Sequence, residues 1–324
     1  MASKIFKKVY LNDYFTVVGP LEKESHLKSL DLTMNDYYYG CKTFEQAEIK
    51  MQRVAIDNLL NNNSLFSNNI DVIVGGDLSN QIAITSYAIK NYNIPFLGIY
   101  SACATFTESL IILGSLIESG MIKKGISSIS SHNLTAEKQF RYPVEYGAVK
   151  PHTSTFTTTG SVASLVSNKE TNIKVESVTV GTIIDMNIKD ANHLGAVMAP
   201  GAAEVIYKHL KDLNRSYNYY DLILTGDLGC IGSKIMLDYL KNTNNIVLKN
   251  HKDAGCLLYL ESQDTYAGGS GPACLPIVLY NMILKNKKYK KILIVATGAL
   301  HSPTMVNQKM SIPGIAHAVS LEVL

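Results

Sequence analysis

The segment Asp71-V-I-V-G-G-D-L-Ser79 returns in the second half of the chain as Asp221-L-I-L-T-G-D-L-Gly229. Each copy reads as a short apolar strand that ends in Gly-Asp-Leu, and the elements after it are copied too. A small-residue turn opens a helix, Ser101-A-C-A-T-Phe106 in one half and Gly268-G-S-G-P-A-Cys274 in the other. Next come two Lys-led strands, Lys123-K-G-I-S-S-I-S-S-His132 and Lys290-K-I-L-I-V-A-T-G-Ala299, and each half closes on an apolar run, Gly160–Ser167 and Gly314–Val323. Such a chain is expected to be two copies of one α/β unit, residues 1–170 and 171–324, that bury their sheets against shared central helices.

The elements between the repeats agree. Asp71–Val74, Phe96–Tyr100, Ile126–Ser130, Asp221–Thr225 and Ile292–Ala296 read as buried strands. Ala47, Met51, Val54, Ala55 and Leu59 share one helix face, as do Ala202, Ile206, Leu210 and Leu213, with Pro200 suited to a first helical turn.

Composition narrows the function classes. The 324 residues are 46% hydrophobic and 18% charged with a net charge of +3, and the cations are scattered, so nucleic acid is not an expected partner. Cysteines 41, 103, 230, 256 and 274 form no CxxC pair and are expected to be reduced thiols. The N-terminus lacks a signal-peptide apolar region, and the greasiest stretch, Leu110–Ile117, is fenced by Glu108 and Glu118. A soluble protein without a transmembrane helix is expected. The basic run Lys285–Lys291 reads as cations at a helix end before a strand, with contact to anionic lipid as the alternative. No zinc spacing, GxGxxG fingerprint or Walker motif occurs, so no metal and no cofactor are expected.

Ligands of open α/β sheets favour the carboxyl ends of strands. There the sequence puts Asp77, Ser101–Cys103, His132–Arg141, Asp227, Gly268–Gly271 and His301, which we read as one site. Cys103 opens a helix, where exposed amides favour a thiolate, although a small buried thiol fits the residue type equally. Asn133 suits a helix cap with Glu137 reaching back, and Lys138 and Arg141 share a face if the helix covers both. Asp77 and Asp227 are expected to cap helices, with acid chemistry or cation binding by the two carboxylates as the alternative. His317, inside an apolar strand, reads as a core imidazole.

Duplicated halves with Ser-Ala-Cys-Ala at a strand-to-helix turn resemble the thiolase superfamily, which includes the β-ketoacyl synthases. More narrowly, Val74-G-G-D-L, Ser131-H-N-L-T-A-E-K-Q-F-R-Y-P-V-E-Y-Gly147, Leu222-I-L-T-G-D-L, Ala267-G-G-S-G, Val295-A-T-G-A-L-H-S-P-T and Ser311-I-P-G-I-A-H-A resemble the stage V sporulation protein AD family. The resemblance implies an α/β thiolase-like fold, a layered αβαβα sandwich of two duplicated halves. It also implies a homodimer at the spore inner membrane, peripherally attached. There it would join other subunits of a channel that moves dipicolinic acid, alone or as its calcium chelate, into forming spores and out at germination.

By that resemblance Cys103 holds the position of a condensing nucleophile. The synthases place a His after the second-half strand and an Asn at the next Gly-rich turn, whereas this chain has Gly226-Asp227-Leu228 and Gly268-Gly269-Ser270. Asp227 repels a thiolate, so Cys103 reads as vestigial and no catalytic residue is expected; the alternative is an acyltransferase that uses Cys103. Dipicolinate is a flat ring with two carboxylates. Arg141 offers a planar fork, His132, Asn133 and Lys138 further donors, Phe140 or Tyr142 a stacking face. The amides at Cys103 and from Gly269 and Ser270 to Gly271 offer an anion nest. Asp77, Asp227 and His301 complete the expected ligand set. Against this, Arg141 and Glu145 could form an ordinary surface ion pair.

Overall fold

The repeat in the sequence is a repeat of strand order. The computed structural model describes residues 2–141 and 149–324. The first half contains β1 (Ser3–Ile5), β2 (Tyr10–Val18), β3 (Leu32–Thr33), β4 (Val72–Gly76), β5 (Phe96–Gly98), β6 (Lys124–Ser131), β7 (Phe156–Thr157) and β8 (Gly160–Ser167). The second contains β9 (Ile173–Thr179), β10 (Leu222–Thr225), β11 (His251–Asp253), β12 (Gly269–Ser270), β13 (Lys291–Ala299) and β14 (Gly314–Val323). One half-sheet runs β5-β4-β6-β8-β2 and the other β11-β10-β13-β14-β9. In each, the first three strands are parallel and the last two antiparallel to their neighbours. The halves join along β9, which pairs antiparallel with β2 at Tyr10–Lys174 and with β1 over Ser3–Ile5.

The helices are α1 (Pro20–Lys23), α2 (Phe44–Asn62), α3 (Ala83–Ile89), α4 (Thr105–Glu118), α5 (Asn133–Phe140), α6 (Leu194–Asp212), α7 (Gly229–Asn244), α8 (Ala254–Leu258), α9 (Cys274–Val278) and α10 (Pro303–Asn307). Helix α4 buries nine of its fourteen residues, and so broad a buried face must be covered by more than one neighbouring layer. Its Phe106, Leu110, Leu113 and Ile117 lie in one core with α9 and with residues of both half-sheets. Val72 and Val74 of β4 face this central core while Ile73 faces a second core under α2. Leu222 and Leu224 of β10 do the same, with Ile223 under α6. The result is the expected αβαβα layering of duplicated halves.

The copied aspartates explain the copied motif. Asp71 accepts the Lys123 and Lys124 N–H groups at 2.7 and 2.9 Å, and its own N–H donates to the Lys124 carbonyl at 2.9 Å. Asp221 accepts from Lys290 and Lys291 at 2.7 and 2.9 Å and donates to the Lys291 carbonyl at 2.8 Å. Each aspartate thus pins the start of its strand to the neighbouring parallel strand and sets their register.

Two readings need correction. Pro200 lies inside α6, not in its first turn. The earlier turns are held by close packing, Gly195 against Gly232 and Val197 against Gly314, which outweighs the hydrogen bond Pro200 cannot donate. Cys230 and Cys256 are joined in a disulfide with Cα atoms 4.9 Å apart, whereas Cys41, Cys103 and Cys274 are free. Spacing could not reveal this pair, because it depends on two helix starts converging on one carboxylate. The Gly229 and Cys256 N–H groups both donate to Asp253 Oδ1, at 3.0 and 3.2 Å.

Other expectations hold. Lys285 Nζ donates to the Ser29 carbonyl at 3.0 Å and sits 3.5 Å from Asp31, at the end of a helix before β13. His317 is buried in β14 and accepts the Gly181 N–H at 3.1 Å. Among the described residues no helix is long and apolar enough to cross a membrane.

Replacing Asp71 or Asp221 by Ala removes two charge-assisted bonds at an exposed strand start and is expected to cost about 1–2 kcal/mol each. The two sites share no partners, so the double variant should sum the singles to within about 0.5 kcal/mol in urea denaturation. Loss in one variant only would end the equivalence of the two clips.

Candidate functional site

The carboxyl ends of β4 and β13 meet at the turn before α4. Ala102 holds a left-handed φ of 49° there, a strained conformation for a residue with a Cβ, and so turns Cys103 out at the helix start. The turn presses on the second half: a Cβ at Gly298 of β13 would lie 2.3 Å from the Ser101 carbonyl oxygen, so only glycine allows the approach. Opposite, Gly271 has φ +100°, and a Cβ there would meet Ser131 Oγ at 2.9 Å.

Between these turns lies a cavity of about 270 Å³, whose wall includes Cys103, Phe140, Arg141, Ser270, Gly271 and His301. It is slightly smaller than the ~300–1,000 Å³ of drug-sized ligand sites. Of the residues expected at the site, Cys103, Phe140, Arg141, Ser270, Gly271 and His301 therefore meet.

Arg141 reaches the cavity because α5 ends before it. Its φ of −127° breaks the helix and swings the guanidinium inward, to Asn192 Oδ1 at 3.1 Å and Ser154 Oγ at 3.3 Å, with Nε 3.7 Å from Glu137. Lys138, still helical, points the other way to Glu45 at 2.6 Å on the exposed side. The shared face expected of the two cations is absent for that reason. Tyr142 and Glu145 lie outside the described residues, and so does the proposed Arg141–Glu145 pair.

His301 stacks on Phe140 with centroids 5.1 Å apart and planes at 29°. Burial, and then the Arg141 charge, lower its pKa, so it is neutral at neutral pH. The Ser270 hydroxyl shares a 2.8 Å hydrogen bond with that of Thr155.

Several expected residues are committed elsewhere. His132 caps α5, its Nδ1 accepting the Leu134 N–H at 3.2 Å while Nε2 donates to the Tyr37 carbonyl at 2.9 Å, and burial lowers its pKa. The cap is thus His132 and not Asn133, whose own N–H donates to Thr159 Oγ1 at 3.0 Å. Asp77 is buried and does cap, accepting from Ser79 N–H at 2.7 Å and from Thr85 N–H and hydroxyl at 2.8 and 2.7 Å. Gly269 packs behind Ser270, against Tyr259 and Cys274. None of these four lines the cavity.

Asp227 departs from its expected capping role. Asp253 takes the Gly229 N–H at the start of α7 instead, and burial pushes its carboxyl up to about 7. Asp227 is fully buried with φ 75°, and neither carboxyl oxygen has a hydrogen-bond partner among the described residues. Burial, with Asp253 beside it, raises its pKa well above the usual range; the Gly271 amide dipole offsets this only in part.

The helix-start argument for a Cys103 thiolate fails for a related reason. Burial and then Asp227 push the thiol well above its ordinary range, and the Gly271 N–H opposes them weakly. Cys103 is a protonated thiol at neutral pH.

The sequence reading missed Ser154, Thr155, Asn192 and the inward face of Glu137, all in the cavity wall. The hydroxyl-rich run Thr153-S-T-F-T-T-Thr159 was the available signal.

The family model for Stage V sporulation protein AD matches residues 2–322. The stage V sporulation protein AD of Bacillus subtilis (strain 168) is 43% identical over 318 residues, which cover 97% of this chain and 94% of that protein. Among solved structures, a variant of OleA from Xanthomonas campestris aligns over 98% of this chain and 99% of its own, with TM-score 0.64 and 12% identity. The 3-oxoacyl-(acyl-carrier-protein) synthase III of Aquifex aeolicus VF5 aligns over 99% of both chains, with TM-score 0.55 and 15% identity. At these identities the likeness is one of fold, and the fold is thiolase-like.

Cys103 is expected to alkylate with iodoacetamide more slowly than a free cysteine at pH 7.5, and to speed up only in alkali. Asp227→Asn removes the neighbouring acid and should quicken it, as read by peptide mass spectrometry. An unchanged rate in that variant would show that Asp227 does not act on the thiol.

Proposed function

The chain belongs to the stage V sporulation protein AD family, sporulation proteins by name, and from that premise we propose that it is a non-catalytic binding component that holds dipicolinic acid for a spore membrane channel. The observation that carries the reading is Arg141 turned into a small cavity beside a flat Phe140–His301 stack and a protonated Cys103. A planar fork suits a carboxylate, and a ring face suits an aromatic acid. The Cys103 and Ser270 side chains and the Gly271 N–H supply further donors. The ligand would enter alone or as its calcium chelate.

The protein would serve uptake of the acid during sporulation and its release in germination, attached peripherally to the spore inner membrane beside other channel subunits. A second copy would pair along β5, an edge strand whose Leu97 is 44% exposed.

Acyl transfer through Cys103 is the second reading, and its support is the strained Ala102 turn that presents the sulfur. Against it stands the proton on the thiol, with an equally buried acid where a base is needed. Incubation with acyl-coenzyme A and intact-mass measurement separates the two: a stable adduct lost in Cys103→Ser would favour chemistry.

In calorimetric titration, Arg141→Ala is expected to weaken dipicolinate binding about 10–100-fold, the range for a lost hydrogen bond to a charged group. A bound dianion raises the depressed pKa of His301, so affinity should increase as pH falls from 8 to 6, and His301→Gln should flatten that dependence. Equal affinity in wild type and Arg141→Ala would remove the cavity from the binding site.

A further inference from the structure

We propose that Lys150 is the second anion-binding group of this cavity, held at its wall by Glu137, and that the pair makes the site select flat dicarboxylates over monocarboxylates. The proposal rests on the ring-acid reading of the cavity and goes further by naming what recognises the second carboxylate.

Glu137 lies in the cavity wall with its side chain 15% exposed, and its Oε1 accepts from Lys150 Nζ at 2.6 Å. The same oxygen is 3.7 Å from Arg141 Nε, so two cations flank one carboxylate oxygen. The contacts are unequal. At 2.6 Å the lysine makes a short charge-assisted hydrogen bond, whereas 3.7 Å is too long for one. The outer Arg141 nitrogens rest on neutral acceptors at 3.1 and 3.3 Å. Arg141 is therefore the cation that a first carboxylate takes, because it gives up only weak contacts.

The three charges sum to +1, and one bound carboxylate neutralises them. A second carboxylate on the same ring needs a second cation. His301 is neutral, and Lys138 faces outward to Glu45. Lys150 meets the need: an ammonium carries three donors, and Glu137 Oε1 occupies one. Its side chain is 16% exposed beside the Tyr266 ring, with Nζ 5.7 Å from the centroid, so the ammonium is partly shielded from water; Lys150 does not itself line the cavity and reaches it through Glu137, which does. Glu137 is the positioning residue, and Lys150 sets specificity.

The test is calorimetric titration of the full chain with dipicolinate and with picolinate, which lacks one carboxylate. Wild type should prefer the dicarboxylate by about 10-fold or more, the scale of one added charge-assisted bond. Lys150→Met should bring dipicolinate down to picolinate's level while picolinate affinity holds, and Lys150→Arg should retain the preference. Glu137→Gln should tighten picolinate, because Arg141 is no longer shared, and narrow the ratio. A preference unchanged in Lys150→Met overturns this proposal and leaves the Arg141 site standing. Failure of wild type to bind either acid overturns the ring-acid reading, and this inference with it.

Discussion

Helix α4 is the constraint on which the molecule depends. Nine of its fourteen residues are buried, on a face so broad that the chain must supply strands of both half-sheets to cover it. Duplication supplies both. The same helix begins at the seam between the halves, and its start carries Cys103 to the one place where strand ends of both copies converge. The seam is crowded: Gly298 gives way to the Ser101 carbonyl, and Gly271 to Ser131. Close packing there leaves a cavity of about 270 Å³.

Burial also sets the electrostatics of the seam. Cys103, Asp227 and Asp253 all have pKa values raised first by loss of water; Asp253 then raises Asp227 further, and Asp227 raises Cys103. A cluster that resists charge is a poor place to generate a thiolate, and the helix start does not reverse that. His301 is likewise kept neutral, which leaves formal charge in the wall to Arg141 and Glu137, with Lys150 bonded to Glu137. Fold likeness to condensing enzymes therefore sits beside a thiol that keeps its proton at neutral pH.

Much of the fold was legible because it rests on local, repeated signals. The strands read from Asp71, Phe96, Ile126, Asp221 and Ile292 are present, as are the amphipathic helices α2 and α6. Sequence reasoning went wrong where a local rule met a tertiary contact. Pro200 lies mid-helix because Gly195 and Val197 are packed tightly upstream. Lys138 and Arg141 part because α5 ends at Phe140, and helix spacing says nothing of where a helix stops. Asp77 and Asp227 occupy matching motifs, yet one caps a helix and the other has no hydrogen-bond partner for its carboxyl among the described residues, because Asp253 takes the Gly229 amide at the start of α7.

By itself the sequence determined that two copies of an α/β unit pack about shared helices, since periodicity and the Gly-Asp-Leu repeats are written in neighbouring residues. It also marked Cys103, Arg141, Ser270 and His301 as strand-end neighbours. Only the tertiary structure decided which polar groups face one another across the seam. That choice depends on φ angles at single residues, on helix ends and on the order in which donors find acceptors, and none of these leaves a periodic trace along the chain.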